Sequence, residues 1–191
     1  MRRAGRGRGP GRESGARPGP LPWPPPEAGS GPPPAPLLAR RVPQLLATAR
    51  SVSPRWYPFI ATGLLAGLRY GELAALRPAD VDLTRGALRV ERTVSDRHRI
   101  EPVKDGEGRT VTISPALSEI LRAQLDRLDP GSDVLFPTKA GGRLVYTYFS
   151  ARLWGRLLQK AGLPYRKPHA LRHSYAVTML AAGADLRLVK D

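Results

Sequence analysis

Residues 62–83 read TGLLAGLRYGELAALRPADVDL, and this stretch decides the fold class. Upstream of it, Ser53-Pro54 predicts a helix start, with serine as N-cap and proline at the first helical position. Trp56, Phe59, Ile60, Gly63, Leu64 and Gly67 then recur at spacings of three and four, which is one face of a helix. The pattern breaks at 67–69. A second short helix is expected over 71–76, ended before Pro78, which cannot continue it. Past Leu83 the period changes to two: over 87–94, Leu88, Val90, Arg92 and Val94 line one face of a strand. Helices therefore pass directly into a small β region.

Upstream of this stretch, Leu37, Leu38, Val42, Leu45 and Leu46 suggest a short helix. Downstream, strands over 100–104 and 109–113 flank Asp105-Gly106-Glu107-Gly108, a hairpin signal in which the glycines supply positive φ. With 87–94 they are expected to form one antiparallel sheet of three strands. Ser114-Pro115 starts a helix with Leu117, Ile120, Leu121, Leu125 and Leu128 on its apolar face, ended by Asp129-Pro130-Gly131. Residues 132–145 read as a loop, 146–161 as a helix capped by Gly162, and 168–182 as a helix stopped at Gly183. Asp185 is expected to begin one more helix. The fold class is thus mainly α with a small three-stranded antiparallel β-sheet (α+β).

Residues 1–36 carry no such pattern. They hold 8 of the 20 glycines and 11 of the 21 prolines, so the segment is expected to be a disordered tail ahead of a domain over 37–191. The 191 residues include 31 Lys plus Arg against 16 Asp plus Glu, a formal charge of +15. Six Arg and two Glu in the tail contribute +4, which leaves +11 for the domain. A domain this basic suits a polyanion and does not suit an acidic mimic or a metal store. Arginine outnumbers lysine 26 to 5, in keeping with bidentate phosphate binding or with a coding bias toward Arg, Gly, Pro and Ala. The absence of cysteine excludes disulfides, thiolate zinc sites and a cysteine nucleophile. No run of 18 apolar residues predicts a membrane helix, and no export signal is visible, so a cytoplasmic location is expected.

Three places combine unusual residues with structural punctuation. Arg69 sits at the break between two helices, where free backbone amides favour an anion; it also reads as a turn arginine paired with Glu72. Lys104 lies by the hairpin turn, where its ammonium can reach into a groove, or where it only solubilises the turn. His169 and Arg172, three apart in a first helical turn, can hold a phosphate between them, or can form a plain surface cluster.

Taken in order, these places resemble the tyrosine recombinase (phage integrase) family. The stretches that carry the resemblance are TGLLAGLRYGELAALRPADVDL (62–83), PVKDGEGRTVTIS (102–114) and HALRHSYAVTMLAAGADL (169–186), with FPTKAGGRL and LLQKAGLP between them. The resemblance covers about Leu37 to Asp191 and implies a tyrosine recombinase catalytic domain. It implies that Arg69, Lys104, His169 and Arg172 surround one scissile phosphate in double-stranded DNA. Glu72 and His173 are implied as supports, Glu72 by orienting Arg69 and His173 by packing or bonding within its helix. Two guanidinium forks suit the charge that builds on the non-bridging oxygens. Lysine suits a general acid for the departing 5′ oxygen, and histidine suits a base for an attacking phenol. A phosphotyrosyl link conserves bond energy, so neither a cofactor nor a metal is implied. Further recombinase protomers in a synaptic complex and an association with the bacterial nucleoid are implied as well.

The sequence departs from the family pattern in one respect. The family's second histidine (or tryptophan) and its tyrosine nucleophile lie beyond the 19 residues that follow Arg172 here, so the chain is expected to be C-terminally truncated and to lack the nucleophile. Tyr146, Tyr148, Tyr165 and Tyr175 fit no nucleophile position. A missing last helix is expected to expose Leu171, Val177 and Leu180. The alternative function is a non-catalytic DNA-binding remnant. An RNA-binding protein with an Arg/Gly arm is a weaker reading, because few aromatics interleave the arm.

Overall fold

The computed structural model describes residues 41–95, 98–103 and 107–184. The expectations for residues 1–36, for Lys104 and for a helix from Asp185 lie outside the described residues. Helix α1 (Val42–Val52) buries Val42, Leu45 and Ala49 along one side. It ends at Ser53, whose N–H donates to the Ala49 carbonyl at 3.0 Å, while its own carbonyl accepts from Trp56 and Tyr57 N–H. Ser53 is therefore the C-cap of α1 and not the expected N-cap of the next helix. Its backbone is committed to α1 and to a turn, so helix α2 starts at Tyr57 and runs Tyr57–Ala66.

Sequence spacing predicts one apolar face for α2, but the helix is buried nearly all round, from Pro58 to Leu64 and at Ala66. The reason is that α1, α4 (Pro115–Leu125) and α7 (Ala170–Ala181) each pack on it. Helices that are apolar on every side take such central places. Thr62, its buried polar residue, donates its hydroxyl to the Pro58 carbonyl at 2.7 Å and so leaves no unmet group. Phe59 is fully buried, with ring centroids 5.1 Å from Phe149, 5.5 Å from Phe136 and 5.8 Å from Tyr70. Burial of one such ring is worth about 1.5–3 kcal/mol.

Gly67 closes α2 in the left-handed conformation at φ +68°. Helix α3 (Tyr70–Ala75) follows, one residue ahead of the 71–76 expected. A 3₁₀ turn over Pro78–Asp80 leads into strand β1 (Val81–Asp82), which sequence reading missed. The 87–94 strand divides at Glu91 into β2 (Ala87–Val90) and β3 (Arg92–Val94). Strand β4 (Ile100–Pro102) pairs with β3, and β5 (Arg109–Thr112) pairs with β2, both antiparallel. The three-stranded sheet is therefore β1-β2-β5, with β3-β4 a separate two-stranded ribbon.

The flanks of the Asp105–Gly108 turn consequently do not pair with each other. Arg92 faces Pro102 and Val90 faces Arg109, so the two ladders part at Glu91. This parting divides the expected strand over 87–94 between two ladders. Val103 N–H donates to the Glu91 carbonyl at 3.2 Å at its near edge.

Helix α4 begins as expected, with the Ser114 hydroxyl accepting from Leu117 N–H at 3.3 Å. The 146–161 helix is one rod in three parts: α5 (Tyr146–Tyr148), a π-helical segment (Phe149–Trp154) and α6 (Gly155–Lys160). Trp154 in this rod is fully buried, and its indole N–H donates to the Arg166 carbonyl at 2.6 Å. Gly162 and Gly183 both adopt positive φ just past helix ends, as their positions predict. Helix α7 starts at Ala170, two residues after the Pro168 expected. Leu171 on α7 is 2% exposed, contrary to expectation, because α2 covers it at Gly63. Val177 is half-buried, and Leu180 is 38% exposed. No helix among the described residues is long and apolar enough to cross a membrane.

Candidate functional site

The site lies where α2, α3 and α7 meet, and glycines permit the approach. A Cβ at Gly63 would stand 3.1 Å from side-chain carbons of both Leu171 and Leu73. A Cβ at Gly67 would stand 2.2 Å from the Tyr175 ring. A Cβ at Gly71 would stand 2.4 Å from the Thr93 hydroxyl and 2.7 Å from the Val94 carbonyl. The glycines of TGLLAGLRYGEL thus dock α7 on one side and β3 on the other, and Arg69 lies between the last two.

Arg69 is the N-cap of α3 in extended conformation, with its side chain 51% exposed. Its Nη1 donates to Glu72 Oε1 at 3.1 Å, and its backbone N–H donates to Glu72 Oε2 at 2.8 Å. The anion expected at this helix start is therefore met from within, by the side chain three residues on. Glu72 is almost wholly buried and also receives Arg109, whose Nη1 and Nη2 donate to Oε1 and Oε2 at 3.0 and 2.8 Å. Burial pushes the Glu72 carboxyl up, but the bonds from Arg109 and Arg69 and their charges outweigh it, so the carboxyl lies below its ordinary value of 4.5.

On α7, His169 is the N-cap and Arg172 lies one turn in. Arg172 Nη1 donates to the Gly67 carbonyl at 2.8 Å, across 105 residues of sequence. That carbonyl ends α2, and a cation at a helix C-terminus is favoured. The bond holds Arg172 beside the turn that presents Arg69. His169 is exposed and stands with its ring 4.6 Å from that of His173, nearly perpendicular to it. Partial desolvation first, then the neighbouring His173, Arg172 and Arg69, lower His169 from its ordinary 6.5. These influences favour the neutral imidazole, the form whose free nitrogen can accept a proton.

Arg69, His169 and Arg172 are thus brought together, with Glu72 behind Arg69 and His173 beside His169. Lys104 lies outside the described residues. Arg109 was not singled out by sequence reading. It opens a period-two strand, and nothing local ties it to a carboxylate 37 residues away. Tyr175 packs its half-buried ring against Gly67, a structural use of that side chain.

Comparison with known proteins gives the family of the chain. The sequence profile of the phage integrase family matches residues 37–191. The chain is 39% identical over 129 residues to tyrosine recombinase XerC of Roseiflexus sp. (strain RS-1), a match covering 65% of this chain and 39% of that protein. It is 29% identical over 176 residues to prophage integrase IntR of Escherichia coli (strain K12), covering 80% of this chain and 42% of that protein. The chain thus spans about two fifths of the length of the curated relatives it matches. The crystal structure of XerA recombinase superposes with a TM-score of 0.68 at 28% identity, over 87% of this chain and 56% of that one. The Tn1549 transposon integrase in complex with circular intermediate DNA gives a TM-score of 0.73 over 84% of this chain and 59% of that one; at 20% identity it shows the shared fold. Fold, profile and relatives agree, and the chain belongs to the phage integrase family.

Proposed function

We propose that this chain is the phosphate-gripping part of a site-specific DNA recombinase, acting on double-stranded DNA. The observation that carries the reading is the Arg172–Gly67 bond, which holds Arg172 of α7, with His169 at the start of the same helix, beside the turn that presents Arg69. In this reading Arg69 and Arg172 bind the non-bridging oxygens of the scissile phosphate and stabilise the charge that grows on them during attack. His169 accepts the proton of an attacking phenol, and Lys104 protonates the departing 5′ oxygen. Strand breakage and rejoining through a 3′-phosphotyrosyl link is the activity of the whole protein, with no cofactor or metal required by this chemistry. None of this chain's own tyrosines is assigned as nucleophile; the packing of Tyr175 on Gly67 supports leaving it out. The chain works in the cytoplasm on nucleoid DNA, beside other recombinase protomers.

Fluorescence anisotropy with a labelled duplex, run across a salt series, tests this reading. Arg69→Ala and Arg172→Ala are each expected to weaken binding and to lower the salt slope by about one. A phenol-trapping suicide duplex is expected to yield no covalent adduct with the 191-residue chain. Unchanged binding in both variants favours a non-catalytic DNA-binding module, and an adduct at Tyr175 overturns the assignment of roles.

A further inference from the structure

Glu72 poses an electrostatic problem for the site. Its carboxylate touches Arg69 at 3.1 Å, so the two side chains taken together carry no net charge toward a phosphate. Arg109 changes that sum. It engages both Glu72 oxygens at 3.0 and 2.8 Å, and the group of three then carries +1. The geometry divides the roles in the same way. Arg109 is the more buried arginine, its side chain 25% exposed, whereas that of Arg69 is 51% exposed. Arg69 has five N–H donors and gives one side-chain donor to Glu72 at the longest distance of the set. Arg109 is also the first residue of β5, directly after the segment 103–108 that includes Lys104.

We infer that Arg109 is a positioning residue that takes up the Glu72 charge and so leaves Arg69 its positive charge and its free fork for phosphate. This deepens the proposed function and rests on that reading of Arg69. Arg109 acts through Glu72 and touches no reacting atom. Glu72 in turn fixes both the backbone and the guanidinium of Arg69, through its two oxygens. One carboxylate thereby links the strand that follows the Lys104 segment to the turn that presents Arg69.

The test follows the Arg69 Nε–Hε resonance by heteronuclear NMR in the full chain during titration with inorganic phosphate. The signal is assigned with Arg69→Lys, and folding is checked by circular dichroism. The wild-type signal is expected to shift saturably. Loss of one positive charge this close is expected to weaken the response about fivefold or more in Arg109→Gln. Arg109→Lys, which keeps the charge, is expected to stay within about twofold of wild type. The double variant Glu72→Gln with Arg109→Gln removes both charges and is expected to return to within about twofold. Both of these keep the test decisive if Arg109→Gln does not fold. A merely structural Arg109 would not give this rescue. A folded Arg109→Gln with unchanged phosphate affinity overturns the inference, as does a double variant as weak as the single one. A wild-type Arg69 signal indifferent to phosphate and to duplex DNA overturns the phosphate reading itself, before any variant is compared.

Discussion

Replacing Gly67 with alanine separates two demands that meet at one backbone position. The first is conformational: φ is +68°, and a side chain in the left-handed region costs about 1–2 kcal/mol. The second is steric. The new Cβ would lie 2.2 Å from Tyr175 Cδ1 and 2.8 Å from both Cγ and Cε1. Ordinary contact begins near 3.4 Å, so the ring must retreat by 3.4 − 2.2 = 1.2 Å. Forced repacking of that kind costs about 1–3 kcal/mol. The sum is about 2–5 kcal/mol, which for a domain of this size lowers Tm by roughly 5–20 °C. Urea denaturation of the single and double variants measures it. In a Tyr175→Ala background the clash is gone, and Gly67→Ala should cost only the backbone part, about 1–2 kcal/mol. The reasoning fails if Gly67→Ala costs less than about 1 kcal/mol, or if its cost is the same with and without the Tyr175 ring.

Further outcomes are expected. Glu72→Gln should cost about 2–4 kcal/mol, somewhat below the range for fully buried pairs because Arg69 and Arg109 keep contact with solvent. Because the folded Glu72 carboxyl lies below 4.5, its stabilisation is complete above that value and is lost as pH falls through the lower folded value; the variant should flatten this acid limb in pH-dependent melts. His169 should titrate below 6.5 by NMR, and His173→Ala should move it upward; stability should accordingly decline as pH falls below 6.5, where the unfolded chain takes the proton first. Leu171→Ala should cost about 2–4 kcal/mol and Leu180→Ala no more than about 0.5 kcal/mol, since one is buried on α2 and the other is exposed; equal costs in denaturant would contradict the packing described.

What the sequence made legible is what local rules write. The Ser114 cap, the glycines after α6 and α7, and the switch from period four to period two are all decided within a few residues, and the structure has them where expected. Arg69, His169 and Arg172 each had an ordinary reading alone and stood out only as an ordered set, and their convergence follows from glycines that invite close packing. The Arg109–Glu72 pair was hidden because its partners are far apart in sequence and each is ordinary in its own segment. The π-helical segment was hidden for another reason: a shift to i→i+5 bonding leaves apolar spacing along the rod nearly intact. Strand pairing was misread because alternation over 87–94 continues straight through Glu91, where the ladder is interrupted. The Ser53-Pro54 signal was real as a turn but lost the competition for the serine's backbone, which α1 had already claimed.

The parting of the two ladders at Glu91 has a consequence for how this fold can vary. Both of its edges are pinned, Pro102 against Arg92 and Arg109 against Val90, so the ladders on either side keep their register whatever the number of residues between them. Doubling the length of such a segment costs only about 0.6 kcal/mol in closure entropy. Insertions or deletions between Pro102 and Arg109 should therefore leave both ladders in register, with melts by circular dichroism close to those of the unaltered chain. The joint between the two ladders is thus a place where chain length can change while both mounts stay fixed.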